Sequence, residues 1–455
     1  MSYYHFIAIG GAGMSGIARI LLELGHQISG SDIKASENTR RLQAMGAKVA
    51  IGHAREHVPE EAEVVVVSSA IHEDNPEVLE ARRRGLFVVH RADMLALLLN
   101  QGKGIAIAGA HGKTTTTSMI AMVLEHAGLD PMVLVGGEVS DFGGNAKMGR
   151  GGYVVAEADE SDGSFLKLQP YVSVITNVDD DHLDYYKNLD NVKSAFTSFM
   201  QRTKPGGTVV YCADDENARS IVPGGAPGYV SYGLSPGTDV AAEDVRRRGW
   251  GSTFRAVAAG HVLGTVLLQV PGIHNVQNAL AAISVGRVLD VDFESISSGL
   301  GAFKGAQRRI QFIGEQRGIA VLDDYAHHPT EIKASLKAIK EHLPGRLFCL
   351  YQPHRFSRTM ALLEQFGSAF CDCDRLLLAS IYPGPGEEAM PGVDSLLIAE
   401  SVERHAGTRP SHMESWDDLV DTVLREARAG DVIVTMGAGD IYNLGPRILD
   451  RLSSQ

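Results

Sequence analysis

The stretch Ile105–Thr115 reads IAIAGAHGKTT and decides the fold of the chain. Its first four residues form a short apolar run typical of a buried strand, and a helical pattern begins directly after Gly112. In such a strand–loop–helix, the backbone N–H groups of the loop and of the helix N-terminus converge on one point, where they bind phosphate. We therefore expect Lys113 to contact phosphates and Thr114 to offer a hydroxyl to Mg²⁺. Because the position five before Gly112 is Ile107 rather than glycine, a purely structural turn is the alternative.

Short β-branched runs, glycine turns and helical patterns alternate along the whole chain, which predicts βαβ units and an α/β fold with parallel sheets. The chain has 455 residues, and a typical domain has ~150 residues, so we expect three domains. We place a Rossmann-like domain at residues 1–92, a P-loop-type ATPase domain at 93–306 and a second Rossmann-like domain at 307–455. Residues 223–251, rich in Gly, Pro and charge, are expected to form irregular surface structure.

Composition excludes several classes of protein. The net charge of -13 and a sequence pI near 5.7 make nucleic acid an improbable partner. No apolar run approaches the ~18 residues that a membrane-spanning helix needs, and the N-terminus reads as a strand rather than a signal peptide. We expect a soluble cytoplasmic protein without membrane insertion. The four cysteines form no paired zinc or redox pattern, and we interpret them as reduced structural thiols.

Acidic and histidine side chains follow two further predicted strands. Glu157 ends the strand at residues 153–156 and opens the run EADESD, and His182 follows the strand at residues 172–176 within NVDDDH. Hard oxygen ligands at strand ends beside a phosphate loop are what Mg²⁺ requires. We expect Glu157 to hold a cation and His182 to help hold a second cation or a phosphate. The alternatives are a solvated acidic loop and a histidine without a role.

A second glycine loop lies near the N-terminus, where GAGMSG at residues 11–16 follows a predicted strand and opens a predicted helix over residues 17–24. Asp32 lies 21 residues after Gly11, close to the dinucleotide-binding fingerprint. The pattern indicates that a diphosphate is bound, which both NAD and a UDP-sugar would satisfy. An NAD-linked oxidoreductase is therefore an open alternative.

Polar residues of the last third of the chain also follow strands. The loops DDYAHHP at 323–329 and QPHRFSR at 352–358 each lie between a predicted strand and a predicted helix. Arginine side chains at one edge of a sheet are suited to binding a carboxylate through two parallel hydrogen bonds. The alternative is that both loops are solvated and bind no ligand. Two asparagines, at 275 and 278, open a predicted helix over residues 274–289. They could hold an adenine ring and phosphate-side groups, but taken alone Asn275 is interpreted as a helix cap. Arg309 lies at a proposed domain boundary, where it could contact a transferring phosphate.

These separate motifs, in this order, resemble the Mur ligase family over essentially the whole chain. Three small residues, Ala110, Gly163 and Ala326, depart from the family pattern. The resemblance implies that the first glycine loop binds a UDP-sugar in a domain that binds no redox cofactor.

The resemblance also implies several sets of site residues. The ATP-binding set is Gly109, Ala110, His111, Gly112, Lys113, Thr114, Thr115, Asn275, Asn278, Arg309 and Asp324. The metal set is Thr114, Glu157 and His182. The UDP-sugar set is Gly11, Gly13, Met14, Ser15, Asp32, Ser68 and Ser69. The set that borders the carboxylate and the incoming amino acid is His327, His354, Arg355 and Arg358. The catalytic set is Lys113, His182, Arg309 and Asp324.

The resemblance also implies an activity. ATP with Mg²⁺ would activate the carboxylate of UDP-N-acetylmuramic acid as an acyl phosphate, and L-alanine would attack it to give an amide. A family member that attaches a recycled peptide is an alternative, although such members carry a tyrosine where Ser161 stands. A nucleotide-dependent switch, which would hydrolyse ATP without a carboxylate substrate, is a third alternative. We expect a monomer or a homodimer.

Overall fold

The computed structural model describes residues 2–139, 143–223, 228–384 and 387–454. Within these residues the strands form three sheets, of five, ten and six strands, and helices connect most of the parallel neighbours. The α/β fold with three sheets confirms the predicted fold class. By its internal contacts the chain divides into two compact units. The first comprises Met1–Val245, Thr253–Leu268 and Val276–Lys304, and the second comprises Arg246–Ser252, Gln269–Asn275 and Gly305–Gln455.

The first sheet is entirely parallel, with strand order β3-β2-β1-β4-β5. Its strands are β1 (Tyr3–Ile7), β2 (Gln27–Asp32), β3 (Lys48–Ile51), β4 (Val64–Val67) and β5 (Phe87–His90), and its helices are α1 (Ala12–Glu23), α2 (Glu37–Ala44), α3 (Pro76–Arg83) and α4 (Arg91–Asn100). The predicted start of α1 at Ile17 was wrong, because Gly13 and Gly16 lie inside the helix. A Cβ at Gly16 would lie 3.4 Å from the Ala146 Cβ, so the helix contacts residue 146 at this point.

Glu77 is fully buried near the N-terminus of α3 and joins three elements of the first sheet. Its carboxylate pairs with His5 Nε2 at 2.7 Å and with His53 Nδ1 at 2.9 Å, and it accepts a hydrogen bond from Ser31 Oγ at 2.8 Å. Burial alone would raise the pKa of Glu77, but the hydrogen bonds from His5, Ser31 and His53 outweigh it and lower the pKa below its usual value. The ionised carboxylate therefore ties β1 to β2.

We expect Glu77→Ala to lower the free energy of unfolding by about 3–5 kcal/mol, because it removes the buried carboxylate that pairs with His5 and Ser31. Since the folded-state pKa of Glu77 is depressed, its contribution is present above the unfolded-state pKa and is lost as the pH falls through the folded-state value. Urea unfolding at neutral and acidic pH measures both effects. Glu73→Ala, at an exposed position shortly before the same helix, is the control. Equal stabilities of the two variants at neutral pH would contradict this account.

The second sheet has the order β15-β14-β13-β12-β11-β10-β6-β9-β7-β8. Its strands are β6 (Lys103–Ala108), β7 (Met132–Val139), β8 (Gly144–Lys147), β9 (Tyr153–Glu157), β10 (Val172–Ile175), β11 (Thr208–Cys212), β12 (Tyr229–Gly233), β13 (Val240–Arg248), β14 (Gly251–Ala258) and β15 (His261–Leu268). Its helices are α5 (Lys113–His126), α6 (Leu183–Tyr186), α7 (Leu189–Gln201), α8 (Glu216–Ser220), α9 (Ile273–Val288) and α10 (Phe293–Ala302). β6 is central and pairs in parallel with β9 and β10, so the carboxyl ends of these three strands lie side by side.

The expected irregular structure at residues 223–251 was wrong for most of that stretch, of which residues 224–227 lie outside the described part of the chain. It contains β12 and β13. The apolar alternation that reveals a strand is missing from β13, because its last six residues are exposed and include three arginines. A strand far out on a sheet buries little of its surface, and its sequence therefore resembles that of a loop.

The third sheet has the order β16-β17-β21-β18-β19-β20 and is parallel except for the pair β16–β17. Its strands are β16 (Gln311–Gln316), β17 (Ile319–Asp324), β18 (Leu347–Tyr351), β19 (Arg375–Leu378), β20 (Ser411–His412) and β21 (Val432–Met436). Its helices are α11 (Pro329–His342), α12 (Phe356–Ala361), α13 (Leu363–Ala369), α14 (Ser395–Ala406), α15 (Trp416–Glu426) and α16 (Leu444–Ser454). β17, β18 and β21 are fully buried, as expected for central strands covered on both faces.

All four cysteines are free thiols, in agreement with the sequence analysis. In the described part of the chain, no helix combines the length and the apolar character needed to cross a bilayer.

Candidate active site

The phosphate loop connects β6 to α5 and has the backbone shape that phosphate binding requires. Gly109 has φ +144° and Gly112 has φ +80°, a conformation that disfavours any side chain. A Cβ at Gly109 would lie 1.9 Å from Thr176 Oγ1, at the end of the neighbouring strand β10. The amide of Asn177 completes the support, since its Oδ1 accepts from the His111 N–H at 2.8 Å. The loop is thus held open at the N-terminus of α5.

Lys113 is the first residue of α5, and its ammonium group turns back over the loop. Its Nζ donates to Gly109 O at 2.6 Å and to Ala110 O at 3.2 Å, and it pairs with Glu160 Oε1 at 2.8 Å. Burial alone would lower the pKa of Lys113, but the nearby carboxylates of Glu160 and Glu157 outweigh it and raise that pKa. Lys113 is therefore a fixed positive charge at the loop.

Glu160 is 2% exposed, and its Oε2 is a buried oxygen without a hydrogen-bond partner among the described residues. Burial raises the pKa of Glu160 to about 7, although the charge of Lys113 acts in the opposite direction. A buried carboxylate oxygen without a donor is costly. An oxygen in this state fits a cation or a donor that arrives with a ligand.

Thr114 and Glu157 form a pair of hard oxygen ligands beside the loop. Thr114 Oγ1 donates to Glu157 Oε2 at 2.9 Å, and the Gly136 N–H donates to the same oxygen at 2.7 Å. Glu157 ends β9, and Thr114 lies in the first turn of α5. The structure therefore brings together two of the three predicted metal-binding residues.

His182, the third of these, lies near the same carboxylates. Its Nε2 is 3.8 Å from Glu160 Oε1 and 3.6 Å from Asp181 Oδ2. Its backbone is left-handed, with φ +56°, a conformation that costs free energy in a residue other than glycine. Thus Lys113 and His182 approach the same oxygen of Glu160 from two different loops.

The two asparagines of α9 differ in their surroundings. Asn278 lies against the phosphate loop: a Cβ at Gly112 would be 2.8 Å from its Oδ1, which also accepts from Thr116 Oγ1 at 3.1 Å. Asn275, in the second compact unit, donates to Pro271 O at 2.7 Å. Because α9 begins at Ile273, Asn275 lies inside the first turn, and its interpretation as the N-cap was wrong.

The first glycine loop is held by Asp32 at the carboxyl end of β2. Asp32 Oδ2 accepts from the Gly10 N–H at 2.9 Å, and Gly11 is the N-cap of α1. The backbone N–H groups of the first turn of a helix have no acceptor within the helix. The first turn of α1 contains no acidic residue that could accept from them. Gly11, Gly13 and Asp32 are thus arranged around one helix N-terminus.

The other predicted residues of the UDP-sugar site are partly engaged within the protein. Met14 is 2% exposed, and the Ser15 hydroxyl donates to Ala12 O at 3.1 Å and accepts from Asn145 Nδ2 at 2.8 Å. Only the backbone of these two residues is suited to ligand binding. Ser69 Oγ contacts His90 Nε2 at 3.0 Å and donates to Asp162, and Ser68 precedes it at the end of β4.

Asp324 and Arg309 belong to the second unit. Asp324 is 2% exposed and accepts from the N–H groups of Ile310 and Ala326, both at 2.7 Å. Burial raises the pKa of Asp324 to about 6, and the charge of Arg309 opposes this increase. Arg309 Nη1 donates to Glu331 Oε1 at 3.1 Å. In this structure Asp324 shapes the turn between β17 and α11.

Three of the four residues expected to border the carboxylate form one cluster in the second unit. The rings of His327 and His354 lie 6.1 Å apart, and Arg358 Nη1 is 3.3 Å from His354 Nδ1. The backbone N–H of Arg355, the fourth, donates to Tyr382 O at 2.9 Å. Its backbone is left-handed, with φ +71°.

The sequence analysis assigned no role to Glu160, Asp159, Arg91 or Glu331. Glu160 and Asp159 belong to the acidic run after β9, and the chain order of that run gives no indication of which side chain turns inward. Arg91 and Glu331 lie in the first turns of α4 and α11, where an isolated charge has no distinctive spacing.

Three family models match the chain: the Mur ligase family catalytic domain at residues 3–103, the Mur ligase middle domain at 107–286 and the Mur ligase glutamate ligase domain at 308–439. A UDP-N-acetylmuramate–L-alanine ligase of Pelotomaculum thermopropionicum is 49% identical, covering 99% of this chain and 97% of the relative. A ligase with the same name from Desulfotalea psychrophila is 48% identical over 100% and 99% of the two chains. Among solved structures, the UDP-N-acetylmuramate–alanine ligase of Thermotoga maritima superposes with a TM-score of 0.84 at 29% identity over 100% of both chains. A murein peptide ligase of Psychrobacter arcticus gives 0.73 at 25% identity over 100% and 99%.

Proposed function

The chain belongs to the Mur ligase family, and we infer from this premise that it joins L-alanine to the carboxylate of UDP-N-acetylmuramic acid at the expense of ATP. The product is an amide-linked precursor for peptidoglycan synthesis. The observation that carries the inference is the cluster of Lys113, Glu160, Thr114 and Glu157 at the carboxyl ends of neighbouring strands. The full-length identity to the alanine-adding relatives indicates which family activity this cluster serves.

The chemical problem is that a carboxylate is a poor electrophile. Transfer of the γ-phosphoryl group of ATP to the carboxylate oxygen gives an acyl phosphate, whose phosphate is a good leaving group. The amine of L-alanine then attacks the carbonyl carbon, and the tetrahedral intermediate expels phosphate. We propose that Lys113 stabilises the charge that develops on the transferred phosphoryl group, since its ammonium group is fixed over the phosphate loop.

We propose that ATP and Mg²⁺ are the co-substrate and the cofactor. The residues present fit Mg²⁺, because Thr114 and Glu157 offer hard oxygens and Glu160 offers a buried oxygen without a partner. When bound, the ion would neutralise phosphate charge. Thr114 and Glu157 would hold one ion, and His182 would contribute to a second.

The remaining site residues receive roles by the same proposal. The amides of Gly11, Gly13, Met14 and Ser15, with Asp32, Ser68 and Ser69, would hold the UDP-sugar. Residues Gly109 to Thr115 with Asn275, Asn278, Arg309 and Asp324 would hold ATP, and His327, His354, Arg355 and Arg358 would border the carboxylate and L-alanine. We further propose that the enzyme works in the cytoplasm, as a monomer or a homodimer.

A competition assay tests the choice of substrate. With UDP-N-acetylmuramic acid, ATP and Mg²⁺, we expect one phosphate to be released for each L-alanine consumed, and a tripeptide beginning with L-alanine to give no product. Phosphate release and separation of the UDP-linked products measure this. Use of the tripeptide in preference to L-alanine would favour the recycling activity, and phosphate release without a UDP-linked product would favour a nucleotide switch.

A further inference from the structure

Arg91 lies between the first glycine loop and the acidic loop that follows β9. It is the first residue of α4, directly after β5. Its Nη2 donates to Asp159 Oδ2 at 2.5 Å, and a Cβ at Gly13 would lie 3.3 Å from its Nη1. One edge of the guanidinium group therefore faces the first turn of α1, and the other contacts the loop that carries Glu157 and Glu160.

Asp159 is placed between two cations. The charges of Arg91 and Lys113 both act on its carboxylate, and Asp159 Oδ1 also accepts from the Ser161 N–H at 3.1 Å. Lys113 in turn pairs with Glu160. Charges of alternating sign thus run from Arg91 through Asp159 and Lys113 to Glu160, from the glycine loop of the first sheet to the phosphate loop of the second.

The guanidinium group retains hydrogen-bonding capacity. In the described part of the chain, its hydrogen bond is the one to Asp159, and the side chain is 18% exposed. Arginine offers five N–H donors in a planar fork, which allows it to hold two anionic groups at once. The free edge faces Gly13, at the helix N-terminus where the proposed function places the diphosphate of the sugar nucleotide.

A second contact fixes the same region. Asn145, on β8, donates to Ser15 Oγ at 2.8 Å and to Ala12 O. A Cβ at Gly16 would be 3.4 Å from the Ala146 Cβ, so α1 packs directly on β8. The N-terminus of α1 is therefore held against the second sheet by Asn145, and the Arg91–Asp159 pair lies beside its first turn.

The geometry points to Arg91 as a positioning residue for ligation. Its guanidinium group contacts both Asp159 and the diphosphate of the sugar nucleotide. It thereby sets the distance between the sugar-nucleotide site and the ATP site. This inference rests on the proposed function, because it takes the ligand at Gly13 to be a UDP-sugar. The acid must be placed within bonding reach of a phosphoryl group, and a displacement of about 1 Å at that point lowers the rate of reaction by about 10²-fold.

The test compares Arg91→Ala, Arg91→Lys and Asp159→Asn with the double variant Arg91→Ala/Asp159→Asn, using the full chain. We expect Arg91→Ala to lower kcat by roughly 10²-fold and to raise the KM for UDP-N-acetylmuramic acid by roughly 10-fold. Arg91→Lys should recover part of the loss, because it keeps the charge without the fork. The double variant should be little worse than Arg91→Ala, since both changes break the same pair.

The matched control is Arg83→Ala, which removes an exposed arginine of the same domain and its pair with Glu80. ADP binding in the absence of the sugar nucleotide should be unchanged in Arg91→Ala. Kinetics within twofold of the unmodified chain, independent losses that multiply in the double variant, or an equal loss of ADP binding would each overturn the inference. If the unmodified chain itself forms no product, the proposed function fails instead.

Discussion

Replacing Lys113 by alanine is expected to lower kcat by at least about 10³-fold while leaving the affinity for UDP-N-acetylmuramic acid within about twofold. The buried ammonium group lies over the phosphate loop, 2.8 Å from Glu160. The substitution therefore removes the fixed cation that stabilises the negative charge developing during phosphoryl transfer, and water cannot replace it. Asp32 and the first turn of α1, which would bind the sugar nucleotide, make no hydrogen bond to Lys113 in the described part of the chain.

Phosphate release measures turnover, and isothermal titration of the sugar nucleotide measures binding. Lys103→Ala is the matched control, because it removes an exposed lysine at the start of β6, the strand that leads into the phosphate loop. Lys103→Ala should behave as the unmodified chain does. A parallel loss of turnover and of sugar-nucleotide binding in Lys113→Ala would contradict the assignment of the two loops to different ligands.

Glu157→Gln is expected to lower kcat by about 10²-fold and to raise the concentration of Mg²⁺ needed for half-maximal rate. Glutamine preserves the shape of the side chain, so Thr114 and the Gly136 N–H keep an acceptor. The negative charge that attracts a divalent cation is lost. A Mg²⁺ titration of the rate separates the two effects, since excess metal should restore part of the activity.

The control for this charge change is Glu125→Gln, which lies on α5 and pairs with Lys147 at the surface. It should leave the Mg²⁺ dependence unchanged. A Glu157→Gln variant with the Mg²⁺ requirement of the unmodified chain would exclude Glu157 as a cation ligand. Thr114 would then require another acidic partner.

Much of the fold could be predicted because central parallel strands are covered on both faces and appear as continuous apolar runs. Ile105–Ala108, Leu347–Tyr351 and Val432–Met436 are of this kind, and each lies within a buried strand. The strand β13 could not be predicted, since its last six residues are exposed. Likewise, the start of α1 was placed too late because Gly13 and Gly16 lie inside the helix and look like loop glycines in the sequence.

The candidate site was predictable where a backbone shape demands particular residues. Gly109 and Gly112 occupy conformations that only glycine adopts readily, and Lys113 and Thr114 follow from the helix start. The partners of these residues were not predictable. Glu160 pairs with Lys113, which lies 47 positions away in the chain, and Asp159 pairs with Arg91, 68 positions away. Spacing along the chain carries no information about such pairs.

The roles of Arg309, Asp324 and the cluster of His327, His354 and Arg358 are still predictions. The second unit shows that Asp324 is committed to two backbone N–H groups, and its pKa is raised to about 6 by burial. Alanine substitution of Arg358 would therefore be a cleaner probe of carboxylate binding than substitution of Asp324, which would also disrupt the turn.

The most direct measurement of the central claim follows the oxygen atoms of the substrate. UDP-N-acetylmuramic acid labelled with ¹⁸O in both carboxylate oxygens is incubated with ATP, Mg²⁺ and L-alanine, and the released phosphate is analysed by mass spectrometry. If the carboxylate is activated by phosphoryl transfer, each phosphate carries one ¹⁸O and the amide keeps the other. Unlabelled phosphate, released together with amide product, would contradict an acyl phosphate intermediate.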